Sequence, residues 1–325
     1  MIFRKVCEWA LYEEIPVLKF IWHGGEPLLL PKEFYTSVIN EQAKLLKGVP
    51  YTNSIQSNLS VPLGDDYIRF LVASGFGVGM SFDVINTARD PNGVHKPAIL
   101  RNLFRFSRYG RGLGAIAVVS KYNVDYPHLL FDFFSSYVRR AHFNRAWSFL
   151  KSMRLLSITT DQYFDFMKEM FLMWKSKGFK GFCVGNVLDI AKRMVRPDQN
   201  SMCYFDEDCM FGRIHIAMNG DVYPCDNLVD RDDFIYGNIY DRSFSLKSIF
   251  AKDNPVFKIF ERRRVRIMKE CKGCEFLKYC YGGCPNDTMR SGASFHDKSD
   301  LCSYYKRMFK LIRPHAVRIV DSSGV

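Results

Sequence analysis

The sequence predicts an α/β chain, a series of parallel βα units followed by a smaller, loop-rich α+β region. Three observations predict it. Short apolar strand candidates alternate with helix-length segments through the first half of the 325 residues. Hydrophobic residues make up 47% and aromatic residues 15%, enough to bury a sizeable core. Eight of the ten cysteines fall after residue 200, in a region with few long periodic segments. The expected organisation is one domain over residues 1–195 and a second over residues 196–325.

Residues 1–14, MIFRKVCEWALYEE, carry charge on both sides of their apolar positions and have no small-residue cleavage site. They read as a helix and not as a signal peptide. Leu18–Trp22 (LKFIW) is a first strand, ending just before Gly24-Gly25. Pro31–Lys47 has helix length. Ser54–Asn58 (SIQSN) is a second strand, followed by a helix over Asp65–Ser74. Gly77–Asp83 (GVGMSFD) is a third, Gly114–Ser120 (GAIAVVS) a fourth, and Asn144–Leu150 a fifth, less regular candidate. Such alternation argues parallel βα units. In barrels of that kind function sits at the C-terminal ends of the strands. Here those ends carry His-Gly-Gly-Glu-Pro, Gln-Ser-Asn and Ser-Phe-Asp.

Thr159-Thr160-Asp161 offers an N-cap for a helix through Trp174, whose aromatic and Met positions read as core. Lys192–Ser201 is a looser stretch and reads as the domain boundary. Arg213–Cys225 (RIHIAMNGDVYPC) then alternates around Asn219-Gly220, a strong hairpin signal because both turn positions need positive φ. The remainder is loop-rich, as expected where metal sites supply order that a small core cannot.

The formal charge of +12 invites a nucleic-acid partner, but no nucleic-acid motif accompanies it. Its densest run, Arg262-Arg263-Arg264-Val265-Arg266, reads as a solvated helix face. No apolar run approaches the roughly 18 residues of a membrane helix. With no secretion signal read, the cytoplasm is the expected compartment, and there dense cysteines favour metal over disulfides.

The cysteines themselves are spaced as ligands. Cys203 and Cys209 come first, then Cys225 behind the hairpin. Next is the run Cys271-x2-Cys274-x5-Cys280-x3-Cys284, and Cys302 closes the set. Eight thiols suffice for two closed four-cysteine sites. Thiolate sulfur is soft and prefers iron–sulfur clusters or zinc, and spacing alone leaves both open. Two four-iron clusters would lower the net charge to roughly +8, since each ligand binds as the anion. Cys7 and Cys183 match no pattern and read as buried, inert thiols.

Gly220-x4-Cys225, the C-x2-C-x5-C-x3-C run and the late Cys302 resemble the SPASM domain appended to radical S-adenosylmethionine enzymes. The resemblance covers nearly the whole chain, and within those enzymes it is strongest to the anaerobic sulfatase-maturating enzymes and related peptide maturases. WHGGEP at Trp22–Pro27 is similar to that family's second-strand motif. SIQSN and GMSFD resemble its next two strand ends, and GDVYPCD at Gly220–Asp226 with YGNI at Tyr236–Ile239 resembles its SPASM hairpin. QSNL and FDVI depart from the usual forms of those strand ends.

The resemblance implies a partial (β/α)6 TIM-like barrel lacking its first strand, followed by the loop-rich α+β SPASM iron–sulfur domain. It implies two auxiliary [4Fe-4S] clusters, with interleaved ligands. Cys203, Cys209, Cys225 and Cys284 would hold one, and Cys271, Cys274, Cys280 and Cys302 the other. Gly24, Gly25, Glu26 and Pro27 would lie against the methionine end of S-adenosyl-L-methionine, with Ser81 as a further contact. Asp226 would be the catalytic base, taking a proton as the substrate radical gives up its electron. The implied activity is oxidation or cross-linking of a residue in a peptide or protein. A flavodoxin- or ferredoxin-type reductant and a monomer are expected, with no nucleic acid and no membrane. A non-catalytic iron–sulfur scaffold that binds peptide and a zinc-binding structural module are the alternatives.

One part of the pattern is missing. Radical enzymes of this kind open with C-x3-C-x2-C, whose third cluster binds the cofactor. This chain has only Cys7 before Cys183. About 30 to 50 further residues would supply a strand, a cluster loop and a helix start. The expectation is that the chain is a piece of a longer one and inactive as it stands. Loss of the cluster in this lineage, or its supply by a second polypeptide, would leave the same gap.

Overall fold

The computed structural model describes residues 1–85, 90, 92–109, 112–146, 155–197, 203–207 and 209–323. The chain divides into two compact units, Pro16–Leu188 with Val317–Val325, and Met1–Ile15 with Asp189–Ala316.

Helix α1 covers Ile2–Tyr12. Strands and helices then alternate: β1 Leu18–Trp22, α2 Lys32–Leu45, β2 Tyr51–Ser57, α3 Asp65–Ala73, β3 Gly77–Ser81, α4 Lys96–Arg108, β4 Leu113–Val119, α5 Pro127–Tyr137, β5 Val138–Arg145, α6 Thr160–Ser176, β6 Cys183–Val184 and α7 Gly185–Val195. The six strands form one sheet in the order β1 to β6, and every neighbouring pair is parallel. Parallel strands in sequential order bring all their βα loops out at one end of the sheet. That end collects the three motifs singled out in the sequence.

The sheet has one face under helices and one more open. In β4, Leu113, Ala115, Ala117 and Val119 are buried, while Gly114, Ile116 and Val118 between them are half-buried. Phe143 of β5 meets Phe134 of α5 at 5.5 Å and Phe166 of α6 at 5.8 Å between ring centroids. Helix α6 begins at a capping box, with Thr159 and Gln162 exchanging side-chain and backbone hydrogen bonds.

Two strands differ from the sequence reading. The fifth is Val138–Arg145 and not Asn144–Leu150, of which residues 147–150 lie outside the described residues. It follows α5 with no intervening loop, and its Arg139, Arg140, His142 and Arg145 hide the strand signal. The sixth is only two residues long, too short to show a period. The boundary stretch Lys192–Ser201 reads differently as well: α7 continues to Val195, and residues 198–201 lie outside the described residues.

The second unit holds a small antiparallel sheet, β7 His215–Ile216, β8 Asp221–Tyr223 and β9 Gly237–Asn238. The β7–β8 hairpin turns over Ala217–Gly220, the Gly220 amide donating to the Ala217 carbonyl at 2.9 Å. Gly220 is left-handed at φ 90° but Asn219 is not, so the turn is longer than the two-residue Asn-Gly turn expected. Helices α8 Pro255–Glu270, α9 Leu277–Cys280, α10 Pro285–Arg290, α11 Cys302–Ile312 and α12 Ala316–Ser322 follow. Helix α1 packs here: Trp9 meets Phe250, and Lys5 Nζ donates to the carbonyl of Phe244 at 2.8 Å. Among the described residues no helix is long and apolar enough to cross a membrane.

Candidate functional site

The C-terminal ends of β1, β2 and β3 line a cleft of about 430 Å³. It gathers Gly25, Glu26, Gln56, Ser57, Ser81 and Asp83, with His95 and Lys96 at the start of α4 on its rim. Of the residues expected to bind cofactor, Gly25, Glu26 and Ser81 therefore face one space. Gly24 and Pro27 flank it in sequence but do not line it.

The local chain explains the shape. After Trp22 the backbone turns through Gly24 at φ 103° and Gly25 at φ 58°, conformations that favour glycine, and nothing stands within 4 Å of where either Cβ would be. The polypeptide there is bare and approachable. Glu26 then caps the turn Pro27–Leu29, accepting from the Leu28 amide at 3.1 Å. Its carboxylate also accepts from Ser57 Oγ at 2.7 Å and the Asn58 amide at 2.9 Å. Glu26 thus ties the end of β1 to the end of β2. Gln56 Nε2 donates to Ser81 Oγ at 2.9 Å, tying β2 to β3. Gly79 leaves room for this bond: a Cβ there would stand 2.2 Å from Gln56 Oε1 and push the end of the glutamine aside. Asp83 accepts from the Val118 amide at 2.7 Å and ties β3 to β4.

Gln56, Ser57, Asp83 and the His95-Lys96 pair were not singled out as binding residues. The strand-end position held the signal for the first three. His95 and Lys96 gave none, since the loop leading to them has no pattern of its own.

Five of the cysteine thiols are raised partly by other cysteines. Burial and the nearby Cys203 and Cys225 push the Cys209 thiol up to about 12. Cys225 is pushed up to about 12 by burial, by Asp226 and by Cys203. Cys284 is raised well above the ordinary thiol value by burial, by Asp287 and by Cys209 and Cys203. Of the other expected set, Cys280 is pushed up to about 11 by burial and by Cys302, Cys271 and Cys274. Cys271 is raised by burial and by Cys302 and Cys274. For each of these five thiols, every cysteine that raises it belongs to its own expected set.

Short elements hold these residues in place. Cys203 and Cys209 sit on single 3-10 turns, Cys225 follows β8, Cys280 ends α9 and Cys284 caps α10. Arg193 of α7, buried, donates to the Tyr279 carbonyl at 3.2 Å and pairs with Asp206 at 3.4 Å, so it ties the Cys203–Cys209 loop to the segment before Cys280. The Cys225 thiol donates to Asp226 Oδ1 at 3.2 Å. Burial lowers the proton affinity of the Arg213 guanidinium, but Cys203, Cys225, Asp226 and Cys209 more than offset it, and the net shift is upward. Cys7 and Cys183 are buried elsewhere.

The run Arg262–Arg266 is not uniformly a solvated face. Arg262 and Arg266 are exposed, but Arg263 is only 6% exposed and hydrogen-bonds three backbone carbonyls. Helical periodicity turns one residue of the run inward, which composition alone does not show.

A four-thiolate set is the donor chemistry of both iron–sulfur clusters and structural zinc. A tetrahedral zinc with Zn–S near 2.3 Å needs sulfurs about 3.8 Å apart. Among the described residues no group of three or more His, Cys, Asp or Glu side chains converges tightly enough to hold a single metal ion.

Comparison with known proteins adds three findings. Residues 203–275 match the SPASM family, an iron–sulfur cluster-binding domain. The chain is 25% identical over 337 residues to a serine-type anaerobic sulfatase-maturating enzyme of Bacteroides thetaiotaomicron, covering 96% of this chain and 80% of that protein. It is 24% identical over 351 residues to a cysteine-type anaerobic sulfatase-maturating enzyme of Clostridium perfringens, covering 99% and 88%. Its fold matches the solved structure of native anSMEcpe with bound AdoMet at a TM-score of 0.81, with 20% identity, covering 98% of this chain and 88% of that one. It matches Streptococcus suis SuiB bound to precursor peptide SuiA at 0.60, with 15% identity, covering 92% and 68%. The fold is therefore that of the anSMEcpe structure with bound AdoMet, and the likeness to these proteins runs along nearly the whole chain.

Proposed function

We propose, from this likeness to sulfatase-maturating radical enzymes, that the chain is the body of a maturase that oxidises or cross-links a residue in a peptide or protein. The observation that carries the reading is the sorting of the thiols. Cys209, Cys225 and Cys284 are raised by cysteines of one expected set, and Cys280 by cysteines of the other, which supports the reading.

In this reading Cys203, Cys209, Cys225 and Cys284 hold one [4Fe-4S] cluster and Cys271, Cys274, Cys280 and Cys302 the other. When bound, such clusters supply one-electron acceptance. The rest is done by the chain's own groups. The bare backbone at Gly24-Gly25 and the polar floor at Gln56 and Ser81 take up S-adenosyl-L-methionine, whose ammonium and carboxylate suit a cleft with both acidic and basic edges. Glu26 acts mainly as a brace, since its carboxylate already accepts three hydrogen bonds. Asp226 accepts the substrate proton at its carboxylate; the hydrogen bond it accepts from the Cys225 thiol belongs to the metal-free chain, since a cluster ligand carries no thiol proton. A peptide substrate, a flavodoxin- or ferredoxin-type reductant and a monomeric state belong to the same proposal.

A second reading, a peptide-binding iron–sulfur scaffold without catalysis, is favoured by one fact. These 325 residues contain no C-x3-C-x2-C run, and so no three-thiol site that would leave an iron open to the cofactor. These residues alone are therefore expected to bind S-adenosyl-L-methionine without cleaving it. The test is an assay for 5′-deoxyadenosine under strong reductant, on this chain and on a form with the three-cysteine strand and loop of a sulfatase-maturating relative fused ahead of Met1. The maturase reading expects product, and a mass change in a serine- or cysteine-bearing peptide, from the fused form only. A fused form that loads the added cluster and still leaves the cofactor intact would favour the scaffold.

A further inference from the structure

We propose that Arg263 is the shared counter-charge of the two cysteine sites, a positioning residue that holds the Cys280–Cys284 turn and raises the reduction potential of both. The inference rests on the reading that each site holds an iron–sulfur cluster.

The turn is unusual. Tyr281, Gly282 and Gly283 lie at φ 42°, 81° and 74°, three successive left-handed residues between a cysteine of one set and a cysteine of the other. Tyr281 carries the strain that its side chain brings there. A Cβ on Gly282 would stand 2.7 Å from Ile267 Cδ1, and one on Gly283 would stand 2.8 Å from Ser299 Cβ. Little but the backbone fits. Arg263 reads that backbone with its planar fork: Nη2 donates to the Gly283 carbonyl at 2.8 Å and the Gly282 carbonyl at 3.5 Å. Nε donates to the Phe295 carbonyl at 3.1 Å.

All three acceptors are neutral carbonyls. A guanidinium buried to 6% exposure, with no carboxylate bonded to it among the described residues, is costly unless another anion compensates it. In the cluster reading the compensating anions are the ligand thiolates, with Cys280 and Cys284 at the two ends of the turn whose carbonyls Arg263 holds. Burial pulls the guanidinium down; Cys209 and Cys284 of one set, with Cys271 and Cys280 of the other, oppose it without cancelling it, and the net shift is downward. Arg213, by contrast, is raised by Cys203, Cys225 and Cys209, all of one set. Reduction adds negative charge to a site, so a nearby fixed cation favours the reduced form. One cation placed between two sites acts on both. Lysine could supply the charge but not the fork.

The test uses the full 325-residue chain, loaded with iron and sulfide without oxygen, in native, Arg263→Gln and Arg263→Lys forms. Midpoint potentials are read by redox titration followed by electron paramagnetic resonance, with iron content and melting of the metal-free protein alongside. Arg263→Gln is expected to keep its iron and to move both midpoints to more negative values. Arg263→Lys is expected to keep both midpoints near native while lowering the melting temperature. An Arg263→Gln chain with full iron and unmoved midpoints, or with only one moved, overturns the proposal. Where Arg263→Gln does not load, Arg263→Lys decides: native midpoints support the proposal, and a negative shift in both sinks it. A native chain holding no sulfide would instead remove the cluster reading, and the proposal with it, before any variant is made.

Discussion

The Cys225 thiol donates to Asp226 Oδ1 across 3.2 Å, between adjacent residues at the end of β8. In the metal-free chain the sulfur proposed as a cluster ligand and the carboxylate proposed as the base thus share one hydrogen bond. Asp226 is one of the causes that raise Cys225. Asp226→Asn is therefore expected to lower the thiol pKa and speed alkylation of Cys225 in the metal-free protein near pH 9. In the fused, cleavage-competent form the same variant should still make 5′-deoxyadenosine while losing peptide product, because the base acts after hydrogen abstraction. Equal loss of both would place Asp226 earlier in the reaction.

Glu26 is expected to matter more for the shape of the cleft than for charge. Two of its three accepted hydrogen bonds join the end of β1 to the end of β2 and the third caps its own turn, and hydrogen bonds to a charged group are worth about 1.5–3 kcal/mol each before solvent exposure reduces them. Glu26→Ala should cost about 2–4 kcal/mol in urea unfolding and weaken binding of S-adenosyl-L-methionine. A variant with native stability and weakened binding would show that the carboxylate meets the ligand directly.

The motifs at the strand ends were legible because a parallel sheet leaves them little choice of place. Asn219-Gly220 and the Thr159 capping box were legible for similarly local reasons. What could not be read depends on neighbours distant in sequence. Gln56 takes its role from Ser81 across the sheet, and Arg263 from the turn at Gly282-Gly283. The fifth strand was displaced because its arginines and histidine suggest a loop, while their long side chains occupy space that only the fold defines. Nothing in the periodicity of α1 tells which unit it packs against.

Stability of the metal-free protein should fall in alkali. The buried thiols of Cys209, Cys225 and Cys280 are raised to between about 11 and about 12, from an ordinary 9.0. A thiol raised in the folded state stabilises it fully below the unfolded value, and that contribution is lost as pH rises from about 9 toward 12. Urea midpoints measured across this range should decline, and Cys209→Ser should flatten the decline. A flat profile for the native chain would mean the thiols are not buried when metal-free.

Cys280→Ala should damage folding and not only redox chemistry. The residue closes α9 and opens the left-handed turn, and cluster binding is coupled to order in such loop-rich regions. Cluster-loaded mutant protein should melt lower and be cut more readily by protease in the second unit. Unchanged melting and protease resistance would contradict the coupling.

The central claim is that eight cysteines hold two iron–sulfur clusters. Its most direct test is iron, zinc and acid-labile sulfide analysis of the anaerobically purified and reconstituted chain, with its absorption spectrum. The expected result is a brown protein with about eight irons and about eight sulfides per chain, as two four-iron clusters require. Two zincs per chain and no sulfide would contradict it.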